Sequence, residues 1–599
     1  MLSSAPSTAS RGWRGTVKRA QAAWRRGGAA LLLGIALAGC HRPLPTADAD
    51  LIVVGAGIAG LSAALEASDH GARVLVLEAN SVGGGHAVMA GGLFLVDTPL
   101  QRRRGIEDSV ELALRDMLTW GEDADERWLR RYVAASRPEV YDWLVAQGVE
   151  FRAVLPAPGE TSVPRFHFTR GAALHVVRPL LREALRREPI EIGFGVEVTG
   201  LKRIAGGWRL RSRHLRSGRT MQFTAPAVII ASGGFEGSLE QVRAHWPSRW
   251  AVPPRLLNGA GHFATGAGLV LGEQAGAAVA RLDHQAIFVT GLPDPRDPAG
   301  QHGLFAQNPA AIFVTADGRR FIDESAPRKQ LEQAVLSLPG QSYWLIFDER
   351  GRRRLRVRGA PWLDRETLQA EILDNPAVTG KATSLRRLAE QAGLPPAALA
   401  ATVQRYNAML AAGDDRDFRR FGPERPPRGL RPIDTAPFYA LRLYPMSRKS
   451  LGGLVIGDDA DVLAPDGSPI PGLFAAGEVT GVAGINGRFG GSGTFLGPSV
   501  FTGRLAGRSA ARLAGRLPLA ASPPSLPAGE PVTASEATAG LAARLKAQRP
   551  GDWHFARAHS LVLERRWSCS GCHSAGWGPQ PATNRAQRLR QLDSCERCH

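Results

Sequence analysis

The run Leu51-Ile52-Val53-Val54-Gly55-Ala56-Gly57-Ile58-Ala59-Gly60-Leu61 constrains this chain more than any other stretch. Its apolar start reads as a buried strand, G-x-G-x-x-G as a turn, and the residues to Ser68 as a helix; Arg73 to Glu78 then reads as a second buried strand ending in an acid. Each part has a physical task. Gly55 permits the tight turn, Gly57 lets the backbone approach a pyrophosphate at the helix N-terminus, Gly60 lets helix and strand pack, and Glu78 suits ribose hydroxyls. The spacing predicts an α/β fold with a Rossmann-like dinucleotide-binding domain. The motif alone leaves FAD and NAD both open.

A second segment far downstream bears on that choice. Ile470 to Val479 reads as a short strand and turn ending in Glu478, and glycine-rich sequence follows from Gly484 to Gly497. With Gly83-Gly84-Gly85, Ala231-Ser232-Gly233-Gly234-Phe235 and Ala264-Thr265-Gly266-Ala267-Gly268, the chain from about Asp50 to Ala514 resembles the flavoprotein family of soluble fumarate reductases, succinate dehydrogenase flavoprotein subunits and 3-ketosteroid dehydrogenases. The resemblance implies FAD, with Gly84, Gly91, Gly92, Gly233 and Gly234 near the flavin and Glu478 at its ribityl chain. It also implies an FAD-binding domain in two parts, residues 40–238 and 438–515, interrupted by an α+β capping domain at 239–437. Some members bind FAD covalently through a histidine six positions before a Gly-Gly pair. Here that position is Gly85 and His86 is displaced by one, so noncovalent FAD is expected.

The capping segment carries Gly318-Arg319-Arg320-Phe321-Ile322-Asp323-Glu324-Ser325-Ala326-Pro327-Arg328, which is similar to the family's G-x-R-F-x-N-E-x-x-x-R with Asp323 in place of Asn. By that resemblance Arg328 is the group that hands a proton to a substrate carbon, and Arg488, ahead of Phe489-Gly490-Gly491, clamps a substrate carboxylate. An arginine fork suits a carboxylate because it is planar and keeps its charge. The alternative is that both arginines are surface ion-pairing residues.

Three departures from the fumarate reductase pattern stand out. Lys449 occupies the place of a substrate histidine; the acid and arginine of the proton relay are replaced by Gly303-Leu304-Phe305-Ala306-Gln307; and only His284 and His302 are at hand for a third lost motif. An arginine is a reluctant acid, with a pKa above about 12, so another proton supply is required. The steroid branch departs too, since its tyrosine aligns with Phe489, which has no hydroxyl to donate. Gly493 matches that branch, and Gly91 to Asp97 with Gly493 to Gly497 resemble a group of FAD-binding dehydrogenases near it.

The chain's two ends hold all five cysteines. Arg11, Arg14, Lys18, Arg19, Arg25 and Arg26 precede the apolar run Gly27 to Gly39, and Leu37-Ala38-Gly39-Cys40 closes it. Thirteen residues fall short of the roughly 20 needed to span a bilayer, so residues 1–39 read as an export signal. The closing four residues resemble a bacterial lipobox, which implies lipidation at Cys40 and a periplasm-facing, membrane-anchored place in the cell envelope; a chance cysteine is the alternative. Both the general and the twin-arginine export routes fit Arg25-Arg26.

At the other end, Cys569-Ser570-Gly571-Cys572-His573 and Cys595-Glu596-Arg597-Cys598-His599 are two C-x-x-C-H motifs. Paired thiols can take the two vinyl groups of a haem while the adjacent histidine meets the iron. Zinc would use the four cysteines but leave both histidines unexplained. No methionine follows Met446, so His554 and His559 are the candidate distal ligands. Residues 551–599 thus read as a small, mostly helical or irregular dihaem segment on a Pro-rich linker at 516–550, and the whole resembles a flavocytochrome c.

Apolar content of 44% and charge content of 22% exclude a disordered chain, and the +19 net charge is spread without the clustered motif that a nucleic-acid binder needs. The expectation is an exported enzyme in which two haems feed FAD and the carbon-carbon double bond of a small anionic enoate is reduced, supplied by a partner such as a quinol-linked cytochrome. Two alternatives remain. One runs the electrons outward from a saturated, ketosteroid-like substrate; the other is an electron-transfer lipoprotein without catalysis.

Overall fold

The computed structural model describes residues 45–521 except Pro361, together with Leu526 and Leu589. The signal segment, Cys40, most of the linker, His554, His559 and both C-x-x-C-H motifs lie outside the described residues.

One sheet has the order Asp461–Leu463, Pro469–Ala475, Ala227–Ile230, Leu51–Val54, Val74–Glu78, Ile190–Phe194. Its last five strands run parallel, with Leu51 paired to Val74 and Ala227, and the first is antiparallel to its neighbour. Strands covered on both faces must be apolar throughout, and LIVV and AVII are. The helix Ile58–Asp69 follows the first strand, as the glycine spacing predicts. Against it lies the helix Leu496–Ala511, where Gly503 and Gly507 bring the two backbones together at Ala59 and Ala63. Strands from either end of the described residues therefore share one sheet, and the chain between them builds a second.

That second sheet is eight-stranded and centres on Phe438–Ser450, a long strand paired with Gln285–Pro293 on one side and Tyr343–Asp348 on the other. Gly303–Gln307 and Arg356–Arg358 extend it. The central strand begins beside the capping elements and ends at Arg448, Lys449 and Ser450, where it meets the parallel sheet's turns. It thus delivers side chains from the second sheet to the first.

The G-x-R-F-x-N-E segment is held by a buried ionic network. Arg320 Nε lies 2.7 Å from Glu324 Oε1 and Arg320 Nη2 2.9 Å from Asp415 Oδ2, while Arg420 Nη1 reaches Glu324 Oε2 at 3.1 Å. All four side chains are almost wholly excluded from water. This fixes the loop that leads through Pro327 into the helix Arg328–Leu336 and so aims Arg328. Among the described residues no helix is long and apolar enough to cross a membrane.

Candidate active site

A cavity of about 2040 Å³ opens at the carboxyl ends of the parallel strands. Its walls include Gly55, Gly57, Glu78, Gly85, His86, Gly91, Gly92, Gly233 and Glu478. Ligands of open α/β sheets bind at this end of the strands.

The residues present fit FAD. Gly55 has φ +105, and a Cβ there would come 2.6 Å from the Ala231 carbonyl oxygen. Gly60 faces inward, where a Cβ would collide with the Gly55 carbonyl. Gly57 differs from both. It caps the Ile58–Asp69 helix with ordinary extended torsions, and nothing stands within 4 Å of where its Cβ would be. A side chain there would fill only the cavity, at a helix N-terminus that attracts phosphate. Glu78, buried, accepts hydrogen bonds from Ala56 N at 2.6 Å and Asn80 N at 2.7 Å. Burial nevertheless pushes its carboxyl above the usual range, so further donors such as ribose hydroxyls would favour its charged form. Gly84, at φ +117, sits behind the wall between Gly83 and Gly85, and Gly234 sits behind Gly233 against Ser450.

His86 lines the cavity with neither ring nitrogen hydrogen-bonded among the described residues; Nδ1 is 3.7 Å from Glu478 Oε2. Burial lowers its pKa to about 4, so it is neutral at physiological pH. Burial alone would raise Glu478, but the Lys449 ammonium and the His86 contact hold it at about 2. Behind it, the fully buried Glu236 makes no well-formed hydrogen bond among the described residues, and burial with the Glu478 charge raises its pKa well above the carboxylate range against the lowering pull of the nearby Ser450 hydroxyl.

Beyond this end the wall becomes cationic. Phe288 and Phe305 sit edge to face at 5.9 Å; the Arg328 guanidinium lies 5.1 Å over the first ring and Arg358 5.0 Å over the second. Arg448 and Lys449 enter from the end of the central strand, with Lys449 Nζ 4.6 Å over the Phe495 ring. Arg448 donates to the carbonyls of Gly259 and Met89. Burial lowers the pKa of Lys449, Arg358 and Arg448, the last to about 10. Among the described residues none of Arg358, Arg448 and Lys449 has an ion-pair partner. The Glu478 charge offsets part of the Lys449 and Arg448 charge, and the wall keeps a net positive balance that suits an anion.

Arg328 and Lys449 therefore share one cavity, and Arg328 Nη2 donates to the Gly490 carbonyl. Arg488 stands apart. It is absent from the cavity wall, its Nη2 reaches Asp123 Oδ2 at 3.3 Å, and its buried Nε has no partner. Asp123 also takes His284 Nε2 at 2.9 Å; burial would raise this carboxyl, but His284, Arg488 and Arg281 hold it below its usual value. His302 lines the outer cavity and bonds Asp294 at 2.8 Å.

Residues 50–496 match the FAD binding domain family. The chain belongs to that family. This flavoprotein is 33% identical over 555 residues to a KsdD-like steroid dehydrogenase of Mycobacterium tuberculosis, covering 77% of this chain and 96% of the relative. It is 31% identical over 479 residues to a fumarate reductase (cytochrome) of Shewanella frigidimarina, covering 78% of each. Among solved structures, the open conformation of a flavocytochrome c3 fumarate reductase superposes with a TM-score of 0.63 at 26% identity, covering 85% of this chain and 83% of that one. A 3-ketosteroid-Δ4-(5α)-dehydrogenase of Rhodococcus jostii RHA1, in complex with 4-androstene-3,17-dione, superposes at 0.59 and 28% identity, covering 79% and 98%. This flavoprotein thus sits in an FAD-dependent oxidoreductase family with both kinds of homologue.

Its site includes residues that the sequence did not mark. Arg358 lies on a three-residue strand with no motif around it, and its place over Phe305 follows from cross-strand pairing. Arg448 is visible only as the basic neighbour of Lys449, and Glu332 only as one acid on an ordinary helix.

Proposed function

We propose that this flavoprotein reduces the carbon-carbon double bond of a small anionic enoate, with electrons supplied through c-type haems at its C-terminal cysteine pairs. The observation that carries the reading is the trio of Arg358, Arg448 and Lys449, with no ion pair among the described residues, on the wall of the cavity that also holds the FAD-binding glycines. Similarity to the fumarate reductase (cytochrome) of Shewanella frigidimarina supports it from a second side.

Gly55, Gly57, Glu78, Gly85, Gly233 and Glu478 would hold the dinucleotide. Bound FAD supplies hydride-transfer chemistry, and haems at Cys569, Cys572, Cys595 and Cys598 would supply single electrons. The chain's own residues do the rest. Lys449, Arg448 and Arg358 bind the carboxylate, in a partly buried setting where charge-assisted hydrogen bonds are strong. The Phe288 and Phe305 rings exclude water from the substrate's flank. Arg328, tethered to the Gly490 carbonyl, holds a proton toward the alkene carbon that does not receive the hydride. Arg488 takes the carboxylate only if it leaves Asp123. Lipidation at Cys40 would keep the molecule on the envelope near its electron donor.

A second reading is favoured by the KsdD-like relative, which this chain matches along nearly that protein's whole length. Here a saturated ketosteroid is oxidised and electrons leave through the haems. The cationic wall opposes it, because partly buried cations beside an apolar ring system are costly. Anaerobic stopped-flow spectroscopy of the chemically reduced holoprotein separates the two. Prompt haem reoxidation by fumarate, urocanate, or an acrylate- or cinnamate-type acid is expected. No response to any enoate, with reduction of the oxidised protein by a saturated ketosteroid, would reverse the assigned direction.

A further inference from the structure

We infer that Glu332 restores to Arg328 the proton that Arg328 gives to the substrate, an inference resting on the role proposed for Arg328. Glu332 lies one helical turn beyond Arg328 on the Arg328–Leu336 helix, and its Oε2 is 4.0 Å from Arg328 Nη1. Its side chain is 1% exposed, and its Oε1 is buried with no hydrogen-bond partner among the described residues. A buried carboxyl whose nearest cation is 4.0 Å away, beyond hydrogen-bond reach, costs stability, so its place beside the proton-donating arginine calls for a use.

Burial raises the Glu332 pKa to about 8, against the lowering pull of Arg328, Arg249 and Lys329. At neutral pH it is therefore a protonated acid next to a guanidinium that needs one. The stretch where related reductases place an acid and an arginine for resupply holds Gly303–Gln307 in this chain, and Phe305 there lines the cavity instead.

The charges around the site define its solvent side. Lys329, on the same helix, is engaged by Glu122 at 2.7 Å and by the Trp120 carbonyl. Arg249 comes from the loop after the helix Leu239–Ala244 and is exposed; Arg488, Glu122 and Asp283 in turn act on it. The balance is simple. The substrate carbon takes a proton from the Arg328 guanidinium, the neutral guanidine takes one from the Glu332 carboxylic acid across one bridging water that spans the 4.0 Å between them, and the carboxylate takes one from water on the Arg249 side. Each double bond reduced consumes one hydride and one solvent proton. Glu332 acts through Arg328 and does not touch the substrate, so it is a positioning and resupply residue.

Glutamine matches the neutral acid in shape and charge but cannot pass on a proton. Full-length holoprotein, native and Glu332→Gln, is followed by infrared difference spectroscopy through a pH titration, and by anaerobic single-turnover and steady-state reoxidation with fumarate and urocanate. The native protein should show a carboxylic acid band that titrates near pH 8 and is missing in Glu332→Gln. Steady-state turnover of the variant should drop at least about tenfold at neutral pH. The native fall in rate near pH 8 should disappear with it, while Glu332→Asp should recover part of the rate. Native turnover in Glu332→Gln between about pH 6 and pH 9, or no such titrating band, would overturn the inference. An Arg328→Ala protein that turns over normally, or native protein that neither enoate reoxidises, fails at the earlier step and overturns the inference along with it.

Discussion

Replacing either of two glycines of the turn by alanine should separate cofactor binding from folding. At Gly57 the torsions suit alanine, with φ −73, and nothing lies within 4 Å of the added Cβ. Losing glycine's flexibility in the unfolded chain stabilises, and a poorer helix cap destabilises, so Gly57→Ala should change the apoprotein's stability by no more than about 1 kcal/mol. The methyl nevertheless stands where a pyrophosphate must touch the backbone. Losing even one charge-assisted hydrogen bond to phosphate costs about 1.5–3 kcal/mol, which weakens FAD binding roughly 10- to 150-fold. Gly60→Ala has the reverse pattern: its Cβ would overlap the Gly55 carbonyl and crowd Val53, so the fold should lose about 1–3 kcal/mol or more. Urea unfolding of the apoproteins and FAD titration by flavin fluorescence measure both quantities. Native FAD affinity in Gly57→Ala, or native stability in Gly60→Ala, would refute this account of the turn.

Other consequences follow from the buried charges and the cysteine motifs. His86 is neutral and buried with a pKa near 4, against an ordinary 6.5, so its contribution to stability is complete above about pH 6.5 and is lost as pH falls toward 4. Glu332 has the opposite sign: its raised pKa makes stability fall as pH rises from about 4.5 to 8, by up to about 1.4 kcal/mol per pH unit. The two slopes oppose each other between about pH 4.5 and 6.5, so urea midpoints should fall more steeply with rising pH over that range in His86→Gln, and the fall above about pH 6.5 should disappear in Glu332→Gln. Arg320→Met leaves Glu324 and Asp415 short of their buried partner and should destabilise the protein by about 3–5 kcal/mol, read by chemical denaturation. Native full-length protein should carry two haems per chain by pyridine haemochrome assay, and Cys569→Ala or Cys595→Ala one; an unchanged haem count would contradict the haem reading.

What the sequence showed and what it hid divide along physical lines. Leu51 to Glu78 is a local unit in which strand, turn and helix each depend on neighbours a few residues away, so its periodicity and glycines reveal it without help. Arg328 is legible through its spacing from Gly318, because the Arg320 and Glu324 of that motif are the ones that build the network aiming it. Arg488 shows the limit. Its motif is present, yet its direction is set by Asp123, a residue 365 positions away that no local pattern connects to it. Arg358 and Glu332 depend equally on tertiary placement, one on which strand pairs with Gly303–Gln307 and the other on how completely a helix face is covered.

The most direct test of the central claim is a crystal structure of the FAD-loaded protein with whichever enoate reoxidises it. The account predicts the carboxylate within hydrogen-bonding distance of Lys449 and of Arg448 or Arg358, and an alkene carbon facing Arg328. A carboxylate seated on Arg488 with those three cations empty, or a cavity that admits a steroid and no carboxylate, would contradict it.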